Sequence, residues 1–132
     1  MAATAGWIRL LVISPLEEDR ESLREMLRGS NTSVRAANNF AQAKSALRKD
    51  RYDLIICEQE LPDANWKDIL NYVRRLQDIP RLTVTSSDAD DQLWAEVLNL
   101  GGFEVLHKPF YADEVTRMLQ TAALRTVGAW AR

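Results

Sequence analysis

Two side chains of opposite charge close two apolar runs that lie far apart in the chain. Tyr52-Asp53-Leu54-Ile55-Ile56-Cys57 leads into Glu58, and Phe103-Glu104-Val105-Leu106-His107 leads into Lys108 and Pro109. An open α/β sheet presents its reactive groups where buried strands end, at their carboxyl edge. A carboxylate and an ammonium delivered to that edge therefore point to a site. Other reactive types lack partners. The single Cys57 sits inside an apolar run, where a free cysteine behaves as a small hydrophobe. His107, the only histidine, alternates away from Lys108 on a strand expected to be buried on both sides, which predicts a packed core residue. No second His or Cys is placed to complete a metal site. The first strand-to-helix turn, Ser14-Pro15-Leu16-Glu17, has no glycine to cradle phosphate, and no nucleophile stands beside a base. Both absences argue against a nucleotide- or phosphate-handling enzyme.

The elements that must hold Glu58 and Lys108 are legible as alternating short apolar runs and helical periods, the pattern of βαβ units in a parallel sheet covered on both faces. Strands are expected over 8–13, about 33–37, 52–57, 82–84 and the run before Lys108. The first helix keeps Leu23, Met26 and Leu27 on one face before Gly29 stops it, and the second, over 40–49, turns Ala43, Ala46 and Leu47 inward. The third carries Ile69, Leu70, Val73 and Leu76 and ends before Pro80. Ser86-Ser87-Asp88 offers N-cap side chains to a fourth, whose expected inward stripe is Leu93, Val97, Leu98 and Leu100. Asp113 and Glu114 open a last helix with Val115, Met118, Leu119 and Ala122 inward.

The chain has 132 residues, 46% hydrophobic and 27% charged, with a net charge of −2. That is the size and balance of one globular domain, with a core expected over about 8–125, a flexible stretch at 1–6, and a tail or linker at 126–132. Lys and Arg are scattered, so no basic stripe invites nucleic acid. No stretch approaches a membrane span or a signal peptide, and the free cysteine fits a reducing interior, so a cytoplasmic location is expected.

Over roughly residues 8 to 125 these features resemble the receiver domain of two-component response regulators, in which an aspartate ends the third strand and a Lys-Pro pair ends the fifth. The resemblance implies a CheY-like, flavodoxin-like fold: a doubly wound five-stranded parallel sheet in the order 2-1-3-4-5. It also implies a site in which an acidic pair and the acceptor aspartate hold Mg2+, a hydroxyl ending strand four contacts the phosphoryl group, and the lysine pairs with it. This sequence departs at three points. Glu58 stands at the acceptor's place, Ser14 and Pro15 stand at the acidic pair, and Val105 stands where many receivers carry a rotating aromatic switch. Ser14 is a weak neutral ligand and Pro15 none, so Mg2+ binding is expected to be lost or weak. Glu17, Glu18 and Asp19 are read as ordinary acids of a helix's first turns.

Glu58 reaches one methylene farther than an aspartate, toward Lys108, either as a built-in imitation of the phosphorylated state or as an inert partner of the lysine. Thr85 is placed at the hydroxyl position, with Ser86 as its competitor, and the bond before Pro109 is expected to be cis. Trp94 is expected on the surface, and with Tyr111 at a partner face formed by the fourth helix, fifth strand and fifth helix. Trp66 is expected either as a lid over the site or as a partner anchor. The function expected is an atypical, non-enzymatic receiver: a phosphorylation-independent interaction module for a signalling partner, an output domain or a second copy. The alternative is a receiver that still accepts phosphate through altered ligands.

Overall fold

The computed structural model describes the backbone of residues 7–131 and the side chains of residues 7–123. Five strands alternate with five helices: β1 (Ile8–Ile13), α1 (Glu17–Met26), β2 (Thr32–Ala37), α2 (Phe40–Lys49), β3 (Leu54–Glu58), α3 (Trp66–Val73), β4 (Arg81–Ser86), α4 (Asp91–Asn99), β5 (Glu104–His107) and α5 (Ala112–Ala131). The strands are all parallel, in the order β2-β1-β3-β4-β5.

Because side chains alternate across a strand, the central strands feed two cores. Leu11, Ile13, Ile55, Cys57, Val84 and Val105 face one side and pack with residues of α2, α3 and α4. Leu10, Val12, Leu54, Ile56 and Leu106 face the other and pack with residues of α1 and α5. Each central side chain is thus buried whichever way it points, which is why these runs read as continuously apolar. The register sets Glu58 beside Thr85 and Ser86 beside His107, so Glu58, Thr85 and Lys108 emerge together at the carboxyl edge.

Local chemistry fixes where the helices begin. Asn39 caps α2 by accepting from the Gln42 N–H, and Asn65 opens α3 with a capping box completed by Asp68. The cap of α4 is Asp90, whose carboxylate accepts from the Leu93 N–H, rather than Ser86, Ser87 or Asp88. Ser86 is still inside β4, and the Asp88 N–H donates to its hydroxyl, so that stretch forms a turn before the helix starts. Gly101, at φ 105°, lets the chain leave α4 in a left-handed conformation. A Cβ on Gly102 would lie 2.4 Å from Val97 Cγ1, so close packing of the turn against the helix requires glycine there.

Several expectations change. Leu98 and Leu100 are exposed, because only Leu93 and Val97 of α4 lie over the sheet. His107 is also exposed: it ends an edge strand, with no sixth strand beside it. Trp66 is only 2% exposed and belongs to the core. The backbone of α5 continues to Ala131, and residues 1–6 lie outside the described residues. Among the described residues no helix is long and apolar enough to cross a membrane.

Candidate functional site

Three elements bring charged groups to one point at the carboxyl edge. Lys108, just past β5, aims its ammonium at two carboxylates. Its Nζ lies 2.9 Å from Glu58 Oε1 and 2.7 Å from Asp19 Oδ2. The same Glu58 oxygen accepts from the Thr85 hydroxyl at 3.0 Å. All three charged side chains are shielded, between 11% and 14% exposed. Burial by itself lowers the pKa of Lys108. Hydrogen bonds to Asp19 and Glu58 and their negative charges outweigh it, so the lysine's pKa is raised above its ordinary value.

Asp19 is the member that sequence reasoning passed over as an ordinary helix acid. Glu17 and Glu18 are exposed, as expected, but Asp19 is buried. The overlooked signal was helical phase. Asp19 lies four residues before Leu23, on the stripe that α1 turns to the sheet, and near the start of the helix that stripe overhangs the carboxyl edge. The turn before it is also held. Ser14 Oγ accepts from the Leu16 N–H at 3.1 Å and donates toward Asp19 Oδ2 at 3.4 Å, while Arg20 Nη1 donates to the Ser14 carbonyl at 2.8 Å. Ser14 thus supports Asp19, and Pro15 is exposed and contributes no donor atom.

Between Thr85 and Ser86 the structure discriminates: Thr85 touches Glu58, whereas the Ser86 hydroxyl serves the turn before α4. The Lys108–Pro109 peptide is cis. Val105 is buried beside β4 in the same core as Trp66. Trp66 is neither lid nor partner anchor. As the first residue of a helix whose N-terminus Asn65 fixes, it packs its ring into the core on that side of the sheet. Cys57, directly before Glu58, is fully buried, and burial pushes its thiol pKa up, so it offers no nucleophile.

A second acid missed in the sequence is Asp63, in the loop that follows Glu58. Its carboxylate accepts from the Phe40 and Ala41 N–H groups at 2.9 and 3.1 Å. The Phe40 bond is the first cause of its lowered pKa, and together the two bonds tie this loop to the start of α2.

Both carboxylates are engaged by the Lys108 ammonium, and Glu58 also accepts from the Thr85 hydroxyl. Among the described residues no cluster of three His, Cys, Asp or Glu could hold a metal ion. The arrangement can instead satisfy its own charges.

Away from this point, Trp94 is 40% and Tyr111 65% exposed. Trp94 borders a groove of about 240 Å³ along β5, also lined by Val105, His107, Glu114 and Arg117. Leu98 lies one helical turn beyond Trp94 on α4 and is 43% exposed.

The response regulator receiver domain pattern matches residues 11–120. The chain is 28% identical over 120 residues to the response regulator MprA of Mycobacterium leprae, covering 90% of this chain and 52% of that protein. It spans about half the length of the curated relatives it matches. Among solved structures, the signal receiver domain of a putative Luxo repressor protein from Vibrio parahaemolyticus superposes with a TM-score of 0.88 at 15% identity, over 96% of this chain and 98% of that one. The non-phosphorylated HemR receiver domain from Leptospira biflexa gives 0.76 at 26% identity, over 88% and 94%.

Proposed function

Because this chain belongs to the response regulator receiver domain family, we propose that it is an atypical receiver that works as an interaction module without accepting phosphate, and without Mg2+. One observation carries the proposal: the Lys108 ammonium is shared between Glu58 and Asp19. The resemblance assigns the hydroxyl of strand four and the lysine of strand five to a phosphoryl group. Here Glu58 Oε1 takes both contacts at once, from Thr85 and from Lys108. A carboxylate already seated between those partners supports the imitation of a phosphorylated state over an inert pair, although it carries only part of a phosphoryl group's charge. A phosphoryl group added at Glu58 would bring further negative charge beside Asp19, with the one nearby ammonium already engaged.

In this proposal the module's partner is a signalling protein, an output domain or a second copy. It is met on the face of α4, β5 and α5, where Trp94 and Tyr111 are exposed and a groove runs along the edge strand. Val105 is stiff and buried, so this face is held in one arrangement and is not switched by a rotating ring.

Asp19 gives the alternative, a receiver phosphorylated through altered ligands, its one support, since it is an acid that does reach the site. Incubation with acetyl phosphate and Mg2+ followed by intact-mass measurement tests both. The proposal expects an unchanged mass. A stable gain of one phosphoryl group mapped to Glu58 or Asp19 would establish the alternative.

A further inference from the structure

We infer that the groove along β5, between α4 and α5, takes a long cationic side chain, an arginine or a lysine, presented by a segment of a partner protein. The inference rests on the reading of the α4, β5 and α5 face as the partner surface and adds the chemistry of what that surface receives. The groove measures about 240 Å³, below the usual range of sites for drug-sized ligands and suited to a single long side chain. Because β5 is an edge strand paired only with β4, no further strand closes the groove on its open side.

Both halves of such a side chain find a match. The methylene stem needs apolar surface, and the charged head needs a carboxylate or the face of an aromatic ring. Val105 and Met118, both nearly buried, give the groove an apolar floor. Trp94 stands at its side, and among the described residues no cation of the chain covers its indole, unlike the rings of Phe40, Trp66 and Phe103. Tryptophan is the ring that attracts a cation most strongly.

The charges of the lining set the sign of the partner. Glu104 and Glu114 line the groove with one base, Arg117, and none of the three is in an ion pair among the described residues. Two acids against one base leave the lining net negative. Glu104 is half-buried, and its Oε1 accepts from the Val105 N–H at 3.2 Å, which holds that carboxylate against the strand that floors the groove. A guanidinium or ammonium brought in by a partner gains the charge-assisted hydrogen bonds that these acids do not find within the chain, whereas an acidic segment would meet two like charges.

The test is a titration of the whole chain, followed by proton–nitrogen NMR, with three short blocked peptides that carry arginine, its neutral isostere citrulline, or glutamate between two leucines. The arginine peptide should shift the Trp94 indole signal and the amides of β5 saturably at millimolar concentration, with citrulline at least about threefold weaker and glutamate weaker again. Glu104→Gln combined with Glu114→Gln should weaken the arginine peptide about three- to tenfold, and Arg117→Gln should tighten it about twofold. Glu114→Gln alone, at an exposed helix position, should weaken it about twofold and decides the matter if Glu104→Gln fails to fold. Undiminished binding to the variants that lack these acids, or equal binding of citrulline or glutamate, would overturn the cationic partner. Shifts that never saturate, or that fall on other elements, would overturn the groove. A dimer in sedimentation that the two acid substitutions dissolve would make a second copy the occupant and overturn the partner class. Intact mass after acetyl phosphate reports phosphate acceptance alone, so failure of the phosphate-independent reading is distinguishable from failure here.

Discussion

Replacing Lys108 by methionine removes the one cation that two shielded carboxylates share, and the cost can be worked from the distances. Asp19 Oδ2 and Glu58 Oε1 lie 2.7 and 2.9 Å from the ammonium, so they are no more than about 5.6 Å apart. With an effective dielectric of about 20, two negative charges at that separation repel by roughly 3 kcal/mol once the lysine is gone. The attraction lost is larger in gross terms, but much of it is offset by the desolvation that Lys108 no longer suffers. Side chains 11% to 14% exposed are screened only in part, so a net destabilisation of about 2 to 4 kcal/mol is expected for Lys108→Met at neutral pH. Urea unfolding would measure it as a lower midpoint at unchanged slope. Because the loss comes from stranded charge, combining Lys108→Met with Asp19→Asn and Glu58→Gln should restore most of the stability. A Lys108→Met cost below about 0.5 kcal/mol would mean that the three groups are effectively solvated. A triple variant no more stable than the single one would mean that the methionine disturbs packing instead. Either result refutes the shared-lysine account.

The raised pKa of Lys108 means that its pairing contributes fully below the ordinary lysine value of 10.5 and is lost as pH climbs through its higher folded-state value; wild-type stability, followed by chemical unfolding at stepped alkaline pH, should therefore fall in that range more steeply than that of Lys108→Met. Trp66→Ala should cost about 3 to 5 kcal/mol of folding stability, whereas Trp94→Ala should cost under about 1 kcal/mol and instead weaken any association through its face; thermal melts and sedimentation of the two variants make the comparison. Gly102→Ala should destabilise by roughly 1 to 3 kcal/mol, because its methyl would meet Val97 Cγ1 at 2.4 Å and the Val97 carbonyl oxygen at 3.0 Å, and a urea midpoint near wild type would show that the turn can move aside.

The architecture was legible because its determinants are local. Apolar runs that face two cores read as buried strands, and the inward stripes of α2 and α3 recur at helical period, so element order and class follow from the chain itself. The ends of β3 and β5 were legible for the same reason, and with them Glu58 and Lys108. Where periodicity ran past the reach of the sheet it misled. Leu98 and Leu100 continue the apolar character of α4 but point outward, and His107 alternates on a strand that has only one neighbour. Spacing put Thr85 ahead of the adjoining Ser86 without excluding the latter. The register of β4 against β3 ranks them, by placing Thr85 opposite Glu58.

What only the tertiary structure decided is who shares the lysine. Three consecutive acids open α1, and along the chain nothing but helical phase separates them. The packing of α1 on the sheet turns Asp19 inward and leaves Glu17 and Glu18 in water. Lys108 lies 89 positions away, and its long side chain meets Asp19 only because β1 and β5 end at the same edge of the sheet, where α1 starts. A carboxylate's electrostatic role depends on distance and shielding through space, and those are set by how the elements pack, whereas the periodicity that builds each element is written along the chain.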